Sequence, residues 1–468
     1  MIPTCSIVWY RRDLRVHDHP GLTAAVAEQG TVVPVFVVDD ALLDGRYRSP
    51  WRHHFLLGCL QALDLELRER GARLVVRAGR PEQVLCELAR EVDARRVFWS
   101  SDVSPYARAR DRRVTDALGA AGVEARPSAG NYCADVSRPR TADGRPYTVF
   151  TAFWRAWQTL ERRPVHRAPT RVTLPEGLEP GELLSPSRLG AQAPPEAAVA
   201  PGEAQARTAL TRWLAQDMGA YSERHDRLAG GTSLLSPHLR WGCVSPREIE
   251  QRAQSRSGAG AEAFVRQLAW REFYAHVLLC HPEDLHLEHQ PRLRALEWEA
   301  PGENLDAWRE GHTGYPLVDA GMRQLARSGW MHNRARLVVG SFLTKDLHLD
   351  WRLGEEHFAR LLLDGEPAQN NGNWQWIAST GVDPAPYSRR MFNPTRQQQR
   401  FDPDGDYVRR WIPELGEVPA ECLLDPSSMT RAQQSAAGCV MGRDYPAPIV
   451  DHAHERRRAL ERYGAAGR

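Results

Sequence analysis

The chain of 468 residues holds a single lysine, Lys345, among 61 basic side chains, so its positive charge is almost wholly arginine. Arginine's planar fork suits phosphate, and the bias fits nucleic-acid contact as well as it fits codon usage. No apolar run approaches about 18 residues, which excludes a membrane-spanning helix. The opening residues 1–7 lack a basic stretch followed by an apolar one, so no secretory signal is expected, and a cytoplasmic location follows. Cysteines stand scattered at 5, 59, 86, 133, 243, 280, 422 and 439, with no C-x-x-C spacing beside a histidine. Metal and disulfide roles are thereby disfavoured, and buried, reduced thiols are expected. The first strand-like run is not followed by G-x-G-x-x-G, which removes the usual dinucleotide fingerprint. A net charge of +2 neither demands nor excludes nucleic acid.

What is present divides the chain. Its length exceeds one comfortable core, so two domains are expected. Runs rich in β-formers at 6–10, 31–38, 72–77 and 96–100 alternate with helical patterns at 51–70 and 81–92. That alternation predicts an α/β domain with a parallel sheet over residues 1–130. Eight prolines between 161 and 202, with little periodicity, mark residues 131–202 as a linker. Amphipathic helices dominate 203–468, so the second domain is expected to be all-helical. The charged loop after the first strand lies at the carboxyl edge where open sheets place ligands. By charge alone, Arg11, Arg12, Asp13 and Arg15 form a solvated ion-pair loop.

Four stretches of the second domain are poor core material. Residues 364–381 concentrate acids, amides and two tryptophans with few aliphatic residues. As a helix, 369–379 would put Asn370 and Trp374 on one face and turn Trp376 about 200° away from Trp374, so the two indoles serve different cavities. Gln267, Trp270, Arg271 and Tyr274 recur at i, i+3, i+4 and i+7, a face both aromatic and polar where leucine and valine would suffice for packing. A helix starting at Trp330 would put Asn333, Arg336 and Leu337 on a shared face, after an earlier helix that Gly329 can end. Thr232, Ser233 and Ser236 bring hydroxyls to the start of a helix whose Pro237 fits its first turn. Arg389, Arg390, Arg396 and Arg400, with Arg334, could track phosphates and make binding salt-dependent.

Several of these stretches resemble motifs of the photolyase/cryptochrome family: D-G-x-x-x-x-N-N-G-x-W-Q-W-x-A-S-T-G from Asp364, W-M-H-N-R-x-R from Trp330, W-R-E-F-Y from Trp270, and the opening loop from Trp9 to Asp18. The match is closest to the microbial class I DNA photolyases that repair cyclobutane pyrimidine dimers. The resemblance implies an antenna domain (1–130), a linker (131–202) and a helical FAD-binding catalytic domain (203–468). It implies damaged DNA as the partner, no metal, and a monomer without membrane or obligate protein partner. FAD would be held by Tyr221, Thr232, Ser233, Leu235 and Ser236 on the diphosphate side, and elsewhere by Gln267, Arg271, Trp330, Asn333, Glu366, Asn370 and Arg336 paired with Asp364. A flipped-out dimer would meet Gln267, Trp270, Asn333, Arg334, Leu337, Trp376 and Arg390. Trp298, Trp351 and Trp374 would form an electron relay that reduces the flavin, with Asn370 beside flavin N5.

The chain departs from the family pattern at His19 for asparagine, Gln267 for glutamate, and Leu337 for methionine. An amide at 267 can donate and accept but cannot carry the carboxylate's charge. No lysine follows the W-R-E-F-Y helix, so the resemblance implies an 8-hydroxy-deazaflavin rather than folate as a second, antenna chromophore, or none. Two relatives compete for the function: a blue-light cryptochrome, opposed by Asn370, and a (6-4) photolyase, favoured by Gln267 but opposed by W-Q-W.

Overall fold

The structure, a computed structural model, describes residues 5–45, 47–383 and 387–466, with the side chain of Arg389 outside the described set. Strands β1 (Cys5–Tyr10), β2 (Thr31–Val38), β3 (Val75–Ala78), β4 (Ala94–Ser100) and β5 (Glu124–Ser128) form one parallel sheet in the order β3-β2-β1-β4-β5. Helices α1 (Pro20–Ala27), α2 (Pro50–Arg68), α3 (Pro81–Glu91) and α4 (Pro105–Ala120) form the crossovers, each opened by a proline that is tolerated where the helical N–H is unpaired anyway. The strand order reverses at β1, so a crevice opens beyond its carboxyl end. Two sequence expectations shift here. The third strand starts at Val75 rather than at 72, and the edge strand β5, carrying Glu124 and Pro127 with no apolar run, gave no signal.

The charged loop after β1 is not solvated. Arg11, Asp13 and Arg15 are buried, and Arg15 donates to the carbonyls of Asp18, Gly130 and Gly242. His19 caps α1 by accepting from Leu22 N at 3.0 Å and meets Asp13 at 3.0 Å through its other nitrogen. Burial alone would raise the Asp13 carboxyl, but His19 and hydrogen bonds from Ser100 and the Arg11 amide hold it well below the usual range.

Residues 131–202 carry helix α5 (Phe150–Thr159), which docks on the helical domain: Trp157 Nε1 donates to Glu272 Oε2 at 2.7 Å. Beyond β5 the described residues form helices, with one isolated bridge at Met441 and Tyr445. Those used below are α6 (Glu203–Gln216), α7 (Ser236–Trp241), α8 (Ala259–Cys280), α9 (Pro316–Ser328), α10 (Asn333–Ser341), α11 (Trp351–Leu361), α12 (Pro367–Ala378), α13 (Pro394–Phe401) and α14 (His452–Ala466). Gly329, left-handed at φ +68, ends α9 as expected. The next helix starts at Asn333 rather than Trp330, because His332 accepts from Arg334 N at 3.1 Å and serves as its cap. No described helix is long and apolar enough to cross a membrane.

Two glycines set how elements meet. Gly372 of α12 lies against the Tyr274 ring of α8, where a Cβ would have no room. Gly242, at φ +66, closes α7 and presses on the backbone of Arg12 and Asp13, joining the two domains. Lys345 is 1% exposed and donates to Ile377 O (2.5 Å), Ser379 Oγ (3.1 Å) and Arg390 O (2.8 Å). It thereby fastens the carboxyl end of α12 to the turn Tyr387–Arg390, and burial pushes its pKa well below the usual amine range.

Candidate active site

Helices α8, α10 and α12 and the loop entering α7 enclose a cavity of about 470 Å³. Its lining includes Tyr221, Thr232, Ser233, Leu235, Ser236, Gln267, Trp270, Arg271, Trp330, Asn333, Arg334, Arg336, Leu337, Asp364, Glu366 and Trp376. Segments separated by more than a hundred residues thus bring their singled-out side chains to one hollow. A narrower recess continues from it, sharing Asn333, Arg336, Leu337, Asp364 and Glu366 and adding Phe358, Asn370 and Trp374. Trp374 and Trp376 open on different parts of this space, as the helical angle between them requires.

On one side, Leu234 takes a left-handed φ of +54, turning the Thr232–Leu235 backbone into the cavity before α7 begins. Trp330 Nε1 donates to Ser236 Oγ at 3.2 Å and ties that turn to the loop ahead of α10. On α8, one face of the Trp270 indole is covered by Phe150 of α5, stacked at 3.6 Å between centroids and 7° between planes. Only the other face and the ring edge remain for a ligand.

The floor of the cavity is ionic. Arg336 Nη2 meets Asp364 Oδ2 at 2.9 Å and its Nε donates to Met331 O, while the buried Asp364 Oδ1 has no hydrogen-bond partner. Glu366 meets Arg12 at 2.6 Å and Arg271 at 3.7 Å. Burial alone would raise its carboxyl, but Arg12, Arg271 and Arg240 hold it below its ordinary value. Asn370 donates its amide to Glu355 O (2.8 Å) and Glu355 Oε1 (3.2 Å), which fixes the amide plane at the recess.

One assignment needs correction. Arg390 is no rim residue free to track phosphate: its side chain is 2% exposed. It lies 4.4 Å over the Trp376 ring, donates to Trp376 O at 3.0 Å and pairs with Asp383 at 2.7 Å, so it clamps the indole instead. Arg334 lines the cavity but is paired with Asp226 at 2.5 Å and lies 4.4 Å over Phe401. Arg396 and Arg400 of α13 are exposed, and the Arg389 side chain is outside the described residues.

Of the three relay tryptophans, Trp374 lines the recess, Trp351 is fully buried with Nε1 3.3 Å from Glu288 Oε1, and Trp298 is half-buried beside Leu293, Leu296 and Tyr463. The ring neighbours described for Trp374 are Phe358 at 5.0 Å and Trp308 at 6.2 Å. Trp308 stands with Leu305 on the buried side of the amphipathic stretch Glu303–Glu310, a pattern that reads as core filler.

A second cavity of about 400 Å³ opens at the carboxyl ends of β1 and β2, among Trp9, Arg11, Phe36, Leu56, Tyr106 and Arg110. Arg240 and Glu366 line both hollows. The sequence pointed to its Trp9–Arg12 edge, while Phe36, Leu56, Tyr106 and Arg110 carried no signal.

Residues 6–173 match the family model described as DNA photolyase, and residues 264–465 match that described as the FAD binding domain of DNA photolyase. The deoxyribodipyrimidine photo-lyase of Streptomyces griseus is 42% identical, covering 97% of this chain and 98% of its own. The chain belongs to the DNA photolyase family. A bacterial class III photolyase from Agrobacterium tumefaciens shares the fold with a TM-score of 0.93 at 36% identity, over 100% of this chain and 98% of that one. A Synechocystis cryptochrome gives 0.91 at 29% identity, over 98% and 99%. The photolyase backbone therefore accompanies both repair enzymes and a cryptochrome, and the side chains must separate these roles.

FAD fits the first cavity of this photolyase-family chain on three observations. The hollow mixes hydroxyls, amides, guanidiniums and aromatic faces, the Thr232–Ser236 loop brings hydroxyls to one end, and the orphaned acceptor Asp364 Oδ1 calls for an N–H donor. Among the described residues no group of histidine, cysteine and acidic side chains could hold a metal ion.

Proposed function

We propose that this protein repairs cyclobutane pyrimidine dimers in DNA by a light-driven reaction in the 470 Å³ cavity. The observation that carries this reading is that Trp270 and Trp376, two aromatic platforms from different helices, line the same hollow as the Arg336–Asp364 pair with its unsatisfied acceptor. A hollow serving the cofactor alone would not need two platforms beyond the flavin-side residues.

Photolyases are among the enzymes that take their target base out of the stack. When bound, reduced FAD supplies the electron that light moves into the dimer and that returns once the ring bonds have split. The chain's own groups do the rest. Arg336 pairs with Asp364 and orients it at the floor, and Asn370, fixed by Glu355, presents an uncharged amide to the recess. Trp376, clamped by Arg390 and Asp383, offers a rigid face for a flipped base. Gln267, exposed at the cavity wall, can both donate to and accept from a pyrimidine edge, and Leu337 adds an apolar contact. Trp298, Trp351 and Trp374 would relay electrons for reduction of the cofactor.

A (6-4) photolyase is favoured by Gln267 alone. The second cavity would take an antenna chromophore, an 8-hydroxy-deazaflavin rather than folate. The protein would act as a cytoplasmic monomer on damaged DNA. Illuminated incubation with an oligonucleotide carrying one thymine dimer tests the main reading: restored thymines support it, and repair of only the (6-4) product rejects it. An absorption spectrum showing flavin bands alone would remove the deazaflavin.

A further inference from the structure

Cys59 and Cys243 lie 184 positions apart in the chain, yet their sulfurs are 3.3 Å apart and share a hydrogen bond. Cys59 is on α2 of the α/β domain, and Cys243 is on the turn that follows α7 in the helical domain. Both are 0% exposed. Among the described residues no other cysteine pair is bonded in this way, and Cys86 and Cys280 are half-buried.

The turn that carries Cys243 is held from several sides. Leu14 N donates to Trp241 O at 3.1 Å, Arg15 donates to Gly242 O at 3.0 Å, and Cys243 N donates to His238 O at 2.9 Å. Gly242 has no room for a Cβ against Arg12 and Asp13. The two sulfurs are therefore kept in register by the domain junction. A disulfide needs about 2.05 Å, so closure takes a movement of roughly 1 Å. We propose that Cys59 and Cys243 are a thiol–disulfide couple whose oxidation bonds the α/β domain to the helical domain.

The surroundings suit this chemistry. The hydrogen bond with Cys59 and the neighbouring His238 ring hold the Cys243 thiol below its usual range, while burial pushes Cys59 up. Cys243 is thus the nucleophile and Cys59 the resolving thiol. With a peroxide as oxidant, the Cys243 thiolate attacks one oxygen, the O–O bond breaks, and the products are a sulfenic acid and, after protonation, water. The Cys59 sulfur then attacks the sulfenic sulfur, the S–S bond forms and a second water leaves. Two thiols lose two electrons and two protons, and one hydrogen peroxide becomes two waters. The second cavity approaches the pair without reaching it: its lining includes Leu56, one turn before Cys59, and Trp241, two residues before Cys243, but neither cysteine, so a small oxidant has to pass the side chains between.

The bond would close a long loop and restrain the unfolded chain. It would also anchor α7, whose leading loop Thr232–Leu235 lines the first cavity. The test uses the full-length, FAD-loaded protein treated with hydrogen peroxide. The expected products are a mass lower by two hydrogen atoms, a digest peptide joining Cys59 to Cys243, and a thermal transition above that of the reduced protein, all reversed by dithiothreitol. Cys59→Ser and Cys243→Ser should each abolish the joined peptide and the thermal shift. Oxidation that modifies Cys86 or Cys280 while producing no Cys59–Cys243 peptide overturns the proposal. Because the wild-type digest decides the matter, a variant that fails to fold does not shield it. A joined protein that melts no higher than the reduced one would refute the clamp.

Discussion

Trp376→Ala should weaken binding of a dimer-containing oligonucleotide in the dark while leaving FAD in place. The ring is already immobilised: its N–H donates to Asp383 at 3.2 Å, and the Arg390 guanidinium covers it at 4.4 Å. Little rotamer freedom remains to be lost when a base stacks on it, so the stacking energy should reach affinity almost undiminished. Base–aromatic stacking is worth about 1–3 kcal/mol. At about 1.4 kcal/mol per tenfold, that is roughly a five- to 150-fold rise in Kd. Anisotropy titration at fixed salt measures it, and flavin absorbance per protein checks the cofactor. Trp376→Phe, which keeps a π-face, should recover most of the loss. Arg390→Ala should reproduce part of it without touching DNA, because the buried guanidinium acts through the indole. A Kd for Trp376→Ala within about twofold of wild type, with FAD retained, would refute the stacking role.

Arg336→Ala strips the buried Asp364 carboxylate of its partner. Hydrogen bonds to charged groups are worth about 1.5–3 kcal/mol, so FAD affinity should fall roughly tenfold to 150-fold, measured as FAD retained per protein after gel filtration. Glu203, which accepts from Val16 N and His17 N across the domain junction, has its carboxyl raised by burial from 4.5 to about 7. The folded state holds that proton more tightly, so this contribution to stability is complete below about pH 4.5 and is lost as pH rises through 7, by at most about 3 kcal/mol. Glu203→Gln should flatten that part of the stability–pH curve in chemical denaturation, and a curve parallel to wild type would count against it. Gly354→Ala would drive a methyl into the Trp374 ring and Leu343. It should cost about 1–3 kcal/mol of stability and slow light-driven reduction of the flavin, read by calorimetry and by absorbance under illumination.

Much of the site was legible because its helices break the ordinary amphipathic rule. Gln267, Trp270, Arg271 and Tyr274 stand at helical spacing where aliphatic residues would pack better, and all four line one cavity. The same reasoning separated Trp374 from Trp376. What was missed depends on contacts with no local trace. The Arg12–Glu366 pair joins residues far apart in the chain, and an arginine in a charged loop gives no sign that its partner lies in another domain. Arg390 sits in a basic turn that reads as solvated, yet Trp376 and Asp383 enclose it. Phe150 lies in the stretch assigned to a linker, and nothing near it announces that it would cover Trp270. The start of α10 moved from Trp330 to Asn333 because a histidine served as cap, a role that serine, threonine, aspartate and asparagine usually fill.

The interior position of Lys345 has a practical reach beyond folding. Amine-directed cross-linkers and dyes will find no side chain on the native surface, so complexes of this protein have to be captured through carboxyl, guanidinium or photoactivated chemistry. The same concealment makes a reporter: labelling at position 345, resolved by peptide mapping from labelling of the α-amine, should register the moments when the helical half comes open.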